Sequence, residues 1–127
     1  MLNFDTAVTL LKDLIRINTS NPPGNEEEAI LFLEAILNTE GIPTEIFSPA
    51  PRRANILATI KGKRRGKPIV LLGHVDTVPA REDDWDVDPF SGEVRDGFLY
   101  GRGTIDMKSQ IICQLLSFIH LYKQGIT

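Results

Sequence analysis

Pro68-Ile69-Val70-Leu71-Leu72-Gly73-His74-Val75-Asp76 passes within nine residues from an apolar run to a polar pair. A short apolar segment rich in β-formers and bounded by turn residues reads as a strand buried on both faces. Polar chemistry is expected where it ends, because sites in open α/β sheets lie beyond the carboxyl ends of strands. In an extended chain side-chain direction alternates, so His74 and Asp76 point the same way. One can then serve the other: a neutral imidazole binds a divalent metal, and a nearby carboxylate fixes its tautomer.

Downstream, Gly101-Arg102-Gly103 leads to Asp106 at the start of a helical pattern. The two glycines allow close backbone approach, and Asp106 offers a separate oxygen ligand at a helix N-terminus, where the dipole favours an anion. On residue type alone Asp106 would be an N-cap, and a strand-end histidine a hydrogen-bonded surface group. His120 has no neighbouring support for a site.

The remaining elements follow in order. Val8, Leu11, Leu14 and Ile15 share one face of a helix expected over Asp5 to Ile17, and Asn18 to Asn25 is a loop. Asn25 with Glu28 resembles a capping arrangement for a second helix, which carries Ile30, Leu33, Ile36 and Leu37 and stops at Gly41. Thr44 to Ser48 and Asn55 to Ile60 read as strands, and Asp96-Gly97 marks a hairpin within Glu93 to Tyr100. From Asp106 onward Met107, Ile111, Leu115, Ile119 and Tyr122 follow a helix face, with Gly125 as a terminal cap. This order predicts an α/β fold, a three-layer αβα sandwich around a mixed sheet, in one domain over residues 1–127.

Gly73-His-Val-Asp-Thr-Val-Pro79, then Trp85 and Asp88-Pro-Phe90, then Gly101-Arg-Gly-Thr-Ile-Asp-Met-Lys108 resemble a known family. It is the dinuclear-zinc family of aminoacylase, acetylornithine deacetylase, succinyl-diaminopimelate desuccinylase and carboxypeptidase G. Thr19-Ser-Asn-Pro-Pro-Gly-Asn-Glu26 is similar to that family's early loop. The resemblance implies that His74 ligates one metal ion, that Asp106 bridges two, and that Asp76 is the active-site residue supporting His74. The ions implied are zinc, with cobalt as the alternative, and the substrate is an N-acyl amino acid or small peptide. Ser109 and Gln110 depart from the family's two glycines. The family's general-base glutamate and remaining ligands lie beyond Thr127, so the chain reads as the first third of such an enzyme, inactive alone.

A net charge of -3, with 42% hydrophobic and 24% charged residues, describes a soluble globular chain. No apolar stretch approaches a bilayer span, and Met1 to Asp5 lacks the pattern of a signal peptide, so a cytoplasmic protein with no membrane partner is expected. Lys61-Gly-Lys-Arg-Arg-Gly-Lys67 is read as a solvated turn rather than a nucleic-acid patch, and Cys113 as a buried apolar group. Trp85 reads as the anchor of an acidic loop. Phosphate binding at Gly101-Arg-Gly103 fails, because Arg102 and Met107 stand where glycines are required. The alternative to a hydrolase is a non-catalytic metal-binding or assembly module, whose open sheet edge and uncovered apolar face predict a chain that associates, as a homo-oligomer for example, or is marginally stable.

Overall fold

The computed structural model describes residues 3–63 and 66–125. Helix α1 spans Phe4–Arg16, with Asn3 Oδ1 accepting from the Thr6 backbone N–H at 2.8 Å. Asp5 in its first turn and Arg16 in its last both suit the helix dipole. Leu14 and Ile15 are fully buried and Val8 and Leu11 partly so, as the spacing predicts.

Helix α2, Glu26–Thr39, buries Ala29, Ile30, Leu33 and Leu37. Asn25 does not cap it: its side-chain amide turns to Glu28 at 3.3 Å, and the Glu27 N–H donates to Arg52 O at 3.1 Å instead. Glu26, 6% exposed, pairs with Arg53 at 2.6 Å and ties this end of α2 to the following hairpin. At the other end Gly41, at φ 74°, lets its own N–H and that of Ile42 reach Asn38 O and Leu37 O.

Strands β1 (Thr44–Ala50) and β2 (Arg53–Ala58) pair antiparallel, Thr44 opposite Ala58 and Ile46 opposite Ile56, with an irregularity between Phe47 and Ala50. The second hairpin, β3 (Val94–Arg95) with β4 (Phe98–Leu99), turns at Asp96-Gly97 as predicted. Helix α3, Ser109–Lys123, buries Ile112, Leu115 and Ile119 against α1 and α2 residues. Gly125 lies just beyond its end at φ 60° and donates to Tyr122 O.

The described residues are thus mixed α/β, with three helices and two small antiparallel sheets. They do not contain the single mixed sheet expected, and Pro68 to Gly73 is not a strand. The run lies beside α3, with Gln114 Nε2 donating to Leu72 O at 3.4 Å, yet Ile69 is 90% and Leu72 82% exposed. A strand exists only through a ladder, and among the described residues neither two-stranded sheet extends to this run. High β-propensity without a neighbour leaves an extended, open segment.

Two further expectations are corrected. Cys113 is exposed, because it sits one position, about 100° of rotation, past the buried Ile112. The last helix begins at Ser109 rather than Asp106, after an irregular turn over Thr104–Lys108. In the basic run Lys61, Lys63 and Lys67 are exposed, while Arg64 and Arg65 lie outside the described residues. Among the described residues no helix is long and apolar enough to cross a membrane.

Lys108 is wholly buried, and its Nζ donates to Leu14 O at 2.9 Å and Ile17 O at 2.8 Å. These carbonyls lie at the end of α1, where helices leave acceptors without partners. Burial pulls the amine from its ordinary 10.5 down to about 8. Neutral or charged, it retains enough N–H groups for both carbonyls.

Lys108→Met keeps the apolar stem but strands two buried acceptors. It should cost about 2–4 kcal/mol in urea unfolding. Between the folded pKa near 8 and the ordinary 10.5, the unfolded chain binds more protons than the folded one. Wild-type stability should therefore rise relative to Lys108→Met as pH increases through that window; a flat difference would refute the burial argument.

Candidate functional site

The site is assembled from three segments. After α1 the chain runs alongside residues 75–77: Thr19 Oγ1 donates to Val75 O at 2.6 Å, the Thr77 N–H to Thr19 O at 3.1 Å, and the Asn21 N–H to Thr77 O at 2.8 Å. Ser20 and Thr77 form a parallel bridge. Val75 and Thr77 are buried by this clasp, and His74 and Asp76 take the opposite face, the alternation expected of extended chain.

His74 Nδ1 lies 3.0 Å from Asp76 Oδ1 and 3.0 Å from the Asp76 carbonyl oxygen. The other Asp76 oxygen, Oδ2, accepts from Asn21 Nδ2 at 3.0 Å. On the far side of the ring, His74 Nε2 faces Asp106 Oδ1 at 3.1 Å. All three residues singled out in the sequence are brought together, with the imidazole between two carboxylates.

Asp106 arrives differently from the expectation. Its φ of -121° and ψ of 99° are not helical, so its carboxylate sits on the irregular turn three residues before α3 and no helix dipole addresses it. The glycines before it do allow close approach: a Cβ on Gly101 would lie 2.6 Å from Ile15 Cγ2, and one on Gly103 2.8 Å from Thr77 Cγ2. Gly103 also adopts φ 89°, which side chains disfavour. Between them Arg102 lies over the Trp85 ring at 5.2 Å, so Trp85 anchors the acidic loop as its composition suggested.

The two carboxylates differ in setting. Asp76 is held below the ordinary carboxylate range, first by the Asn21 hydrogen bond and then by the His74 charge, against the opposing effect of burial. For His74 burial pulls the pKa down, but the hydrogen bonds and charges of Asp76 and Asp106 outweigh it and raise the value. The Asp76 side chain is 34% exposed and that of Asp106 83%.

The arrangement brings one imidazole nitrogen and one carboxylate oxygen, both of kinds that divalent ions take as ligands, to 3.1 Å of each other. With Nδ1 facing two acceptors and Nε2 only one, a neutral ring satisfies more of its partners with the proton on Nδ1. The Nε2 lone pair then faces a carboxylate oxygen, an arrangement that calls for a cation or proton between them. Among the described residues no group of three or more His, Cys, Asp or Glu side chains is placed to hold a metal. His74 and Asp106 offer two donors.

Two participants were missed in the sequence. Asn21 lies in the Asn18 to Asn25 segment, whose residue pattern marks only a loop, and no local pattern signals its bond to Asp76. Lys108 did leave a signal: it stands at i, i+4, i+7 and i+11 with Ile112, Leu115 and Ile119, on the buried face.

The profile described as Peptidase family M20/M25/M40 matches residues 70–127. The N-fatty-acyl-amino acid synthase/hydrolase PM20D1 of Xenopus tropicalis is 35% identical, over 93% of this chain and 24% of that protein. A probable succinyl-diaminopimelate desuccinylase of Staphylococcus aureus is 36% identical, over 93% of the chain and 29% of that protein. The succinyl-diaminopimelate desuccinylase of Bradyrhizobium diazoefficiens is 38% identical, over 94% and 31%. The chain spans about a quarter to a third of the length of these relatives.

Gly103→Ala places a methyl against Thr77 in a disfavoured conformation. It should cost about 1–3 kcal/mol in denaturant unfolding and weaken any metal binding that needs Asp106 beside His74. Unchanged stability would show that the turn adapts freely.

Proposed function

We propose, from the M20/M25/M40 profile match over residues 70–127 and from relatives 35–38% identical, that the chain is part of a member of that peptidase family and that the complete protein is a metal-dependent hydrolase of N-acyl amino acids or small peptides. The observation that carries the reading is the convergence of His74 Nε2 and Asp106 Oδ1 at 3.1 Å with Asp76 behind the ring. In this reading His74 and Asp106 are metal ligands, Asp106 shared between two ions, and Asp76 is the active-site carboxylate. Bound zinc, or cobalt, would polarise the amide carbonyl and lower the pKa of water from about 15.7 toward about 7.

The chain's own residues act around that chemistry. Asp76 holds the proton on His74 Nδ1, which keeps the Nε2 lone pair directed at the ion and makes the ring a stronger donor. Asp106, being open to solvent, would have an oxygen free for a second ion. The Thr19 to Asn21 clasp fixes the His74 backbone. No residue of these three segments is assigned as the base that takes the water proton, and a chain spanning about a quarter to a third of its relatives is expected not to turn over alone. In the complete fold Pro68 to Gly73 is read as a strand of a mixed sheet between helix layers.

The relatives named for acyl-amino-acid and succinyl-diaminopimelate chemistry support small acylated amino acids as the substrate class. A second reading, a metal-binding or assembly module, is favoured by one observation only: Ile69, Val70 and Leu72 stand open on an unpaired segment.

In the complete protein, hydrolysis of N-succinyl and longer N-acyl amino acids should be lost to a chelator and restored by zinc or cobalt. His74→Ala should abolish it, and Asp106→Asn should reduce kcat by at least about 100-fold. Turnover that survives both chelator and His74→Ala would overturn the reading. Zinc titration of the present chain gives the activity-free check: His74→Ala should bind more weakly.

A further inference from the structure

We propose that Asn21 is a positioning residue for His74, acting through Asp76: its amide occupies one carboxylate oxygen so that the other is fixed on the imidazole. The inference rests on the metal-site reading above and adds a layer behind it. Three observations carry it. Asn21 Nδ2 reaches Asp76 Oδ2 and His74 Nδ1 reaches Oδ1, both at 3.0 Å, so the carboxylate is held at both oxygens. The Asn21 backbone is itself anchored, its N–H donating to Thr77 O at 2.8 Å beside the Ser20 and Thr77 bridge. The Asp76 side chain is 34% exposed, so without a fixed donor on Oδ2 water would compete for it and the carboxylate could rotate off the ring.

The residue type suits the task. A lysine or arginine on Oδ2 would neutralise Asp76 and weaken its pull on the imidazole proton, whereas an amide donates one hydrogen bond and leaves the negative charge in place. Anchoring through Thr19 to Asn21 also couples the side-chain relay to the backbone clasp on residues 75–77, so one segment sets both where His74 sits and how its ring is turned.

The test compares zinc affinity by calorimetry for wild type, Asn21→Ala, Asn21→Asp, Asp76→Ala and the Asn21→Ala/Asp76→Ala pair. Asn21→Ala should bind about 10-fold more weakly, the low end of the loss typical for groups behind a ligand, and the pair no more weakly than Asp76→Ala alone. Asn21→Asp, similar in shape but without the donor, should lose at least as much, and serves if the alanine variant does not fold. Unchanged affinity, or additive losses in the pair, overturns the proposal, as does a lowered thermal midpoint with zinc affinity intact.

A second readout needs no metal. The imidazole 15N shifts of His74, measured above its titration, should report the proton on Nδ1 in wild type and a move toward Nε2 in Asn21→Ala. Identical shifts overturn the relay. If wild type and His74→Ala bind zinc equally, the hydrolase reading fails, and the 15N shifts alone decide for Asn21.

Discussion

A buried ammonium must find acceptors, and Lys108 finds two at the end of α1, Leu14 O and Ile17 O. That requirement ties the Thr104–Lys108 turn, and with it Asp106, to the last turn of a helix nearly a hundred residues earlier. Two residues past Ile17 the same strand of chain takes hold of Val75 through Thr19. Both halves of the site therefore hang from one helix end. Helix α1 supplies none of the facing side chains, yet it is the common support for His74 and Asp106, whose polar atoms meet at 3.1 Å.

The imidazole is held asymmetrically. On one side Asp76 is fixed by an amide and by its own short span of chain; on the other, Asp106 stands on an irregular turn with most of its side chain in solvent. A carboxylate already engaged at both oxygens has little left to offer an incoming ligand. An open one keeps its lone pairs available. Two residues of the same type thus sit in different surroundings, the one engaged at both oxygens and the other open to solvent.

What the sequence made legible was what short-range periodicity encodes. Helices α1 and α2, the hairpin at Asp96-Gly97 and the Gly125 stop all follow from neighbours within a few residues, and so does the shared face of His74 and Asp76. Pro68 to Gly73 failed because a strand depends on a partner that propensity does not name. Asp106 was placed in a helix because the apolar spacing runs back through Met107, whereas its dihedrals break before Ser109. Its meeting with His74 was legible only through the ordered motifs. Asn21 was invisible as a partner, since a hydrogen bond across 55 positions leaves no trace in spacing.

The open run at Ile69 to Leu72 also changes what its flanks mean. Four consecutive uncharged apolar residues left unpaired are the kind of surface that favours edge-to-edge association. Immediately before it come Pro68, which cannot donate to a ladder, and the exposed Lys67, with the exposed Lys61 and Lys63 farther back; like charges repel a second copy approaching in register. Charges and prolines in that position act as gatekeepers. A proline and an exposed lysine directly before an unpaired apolar run disfavour its in-register pairing with a second copy.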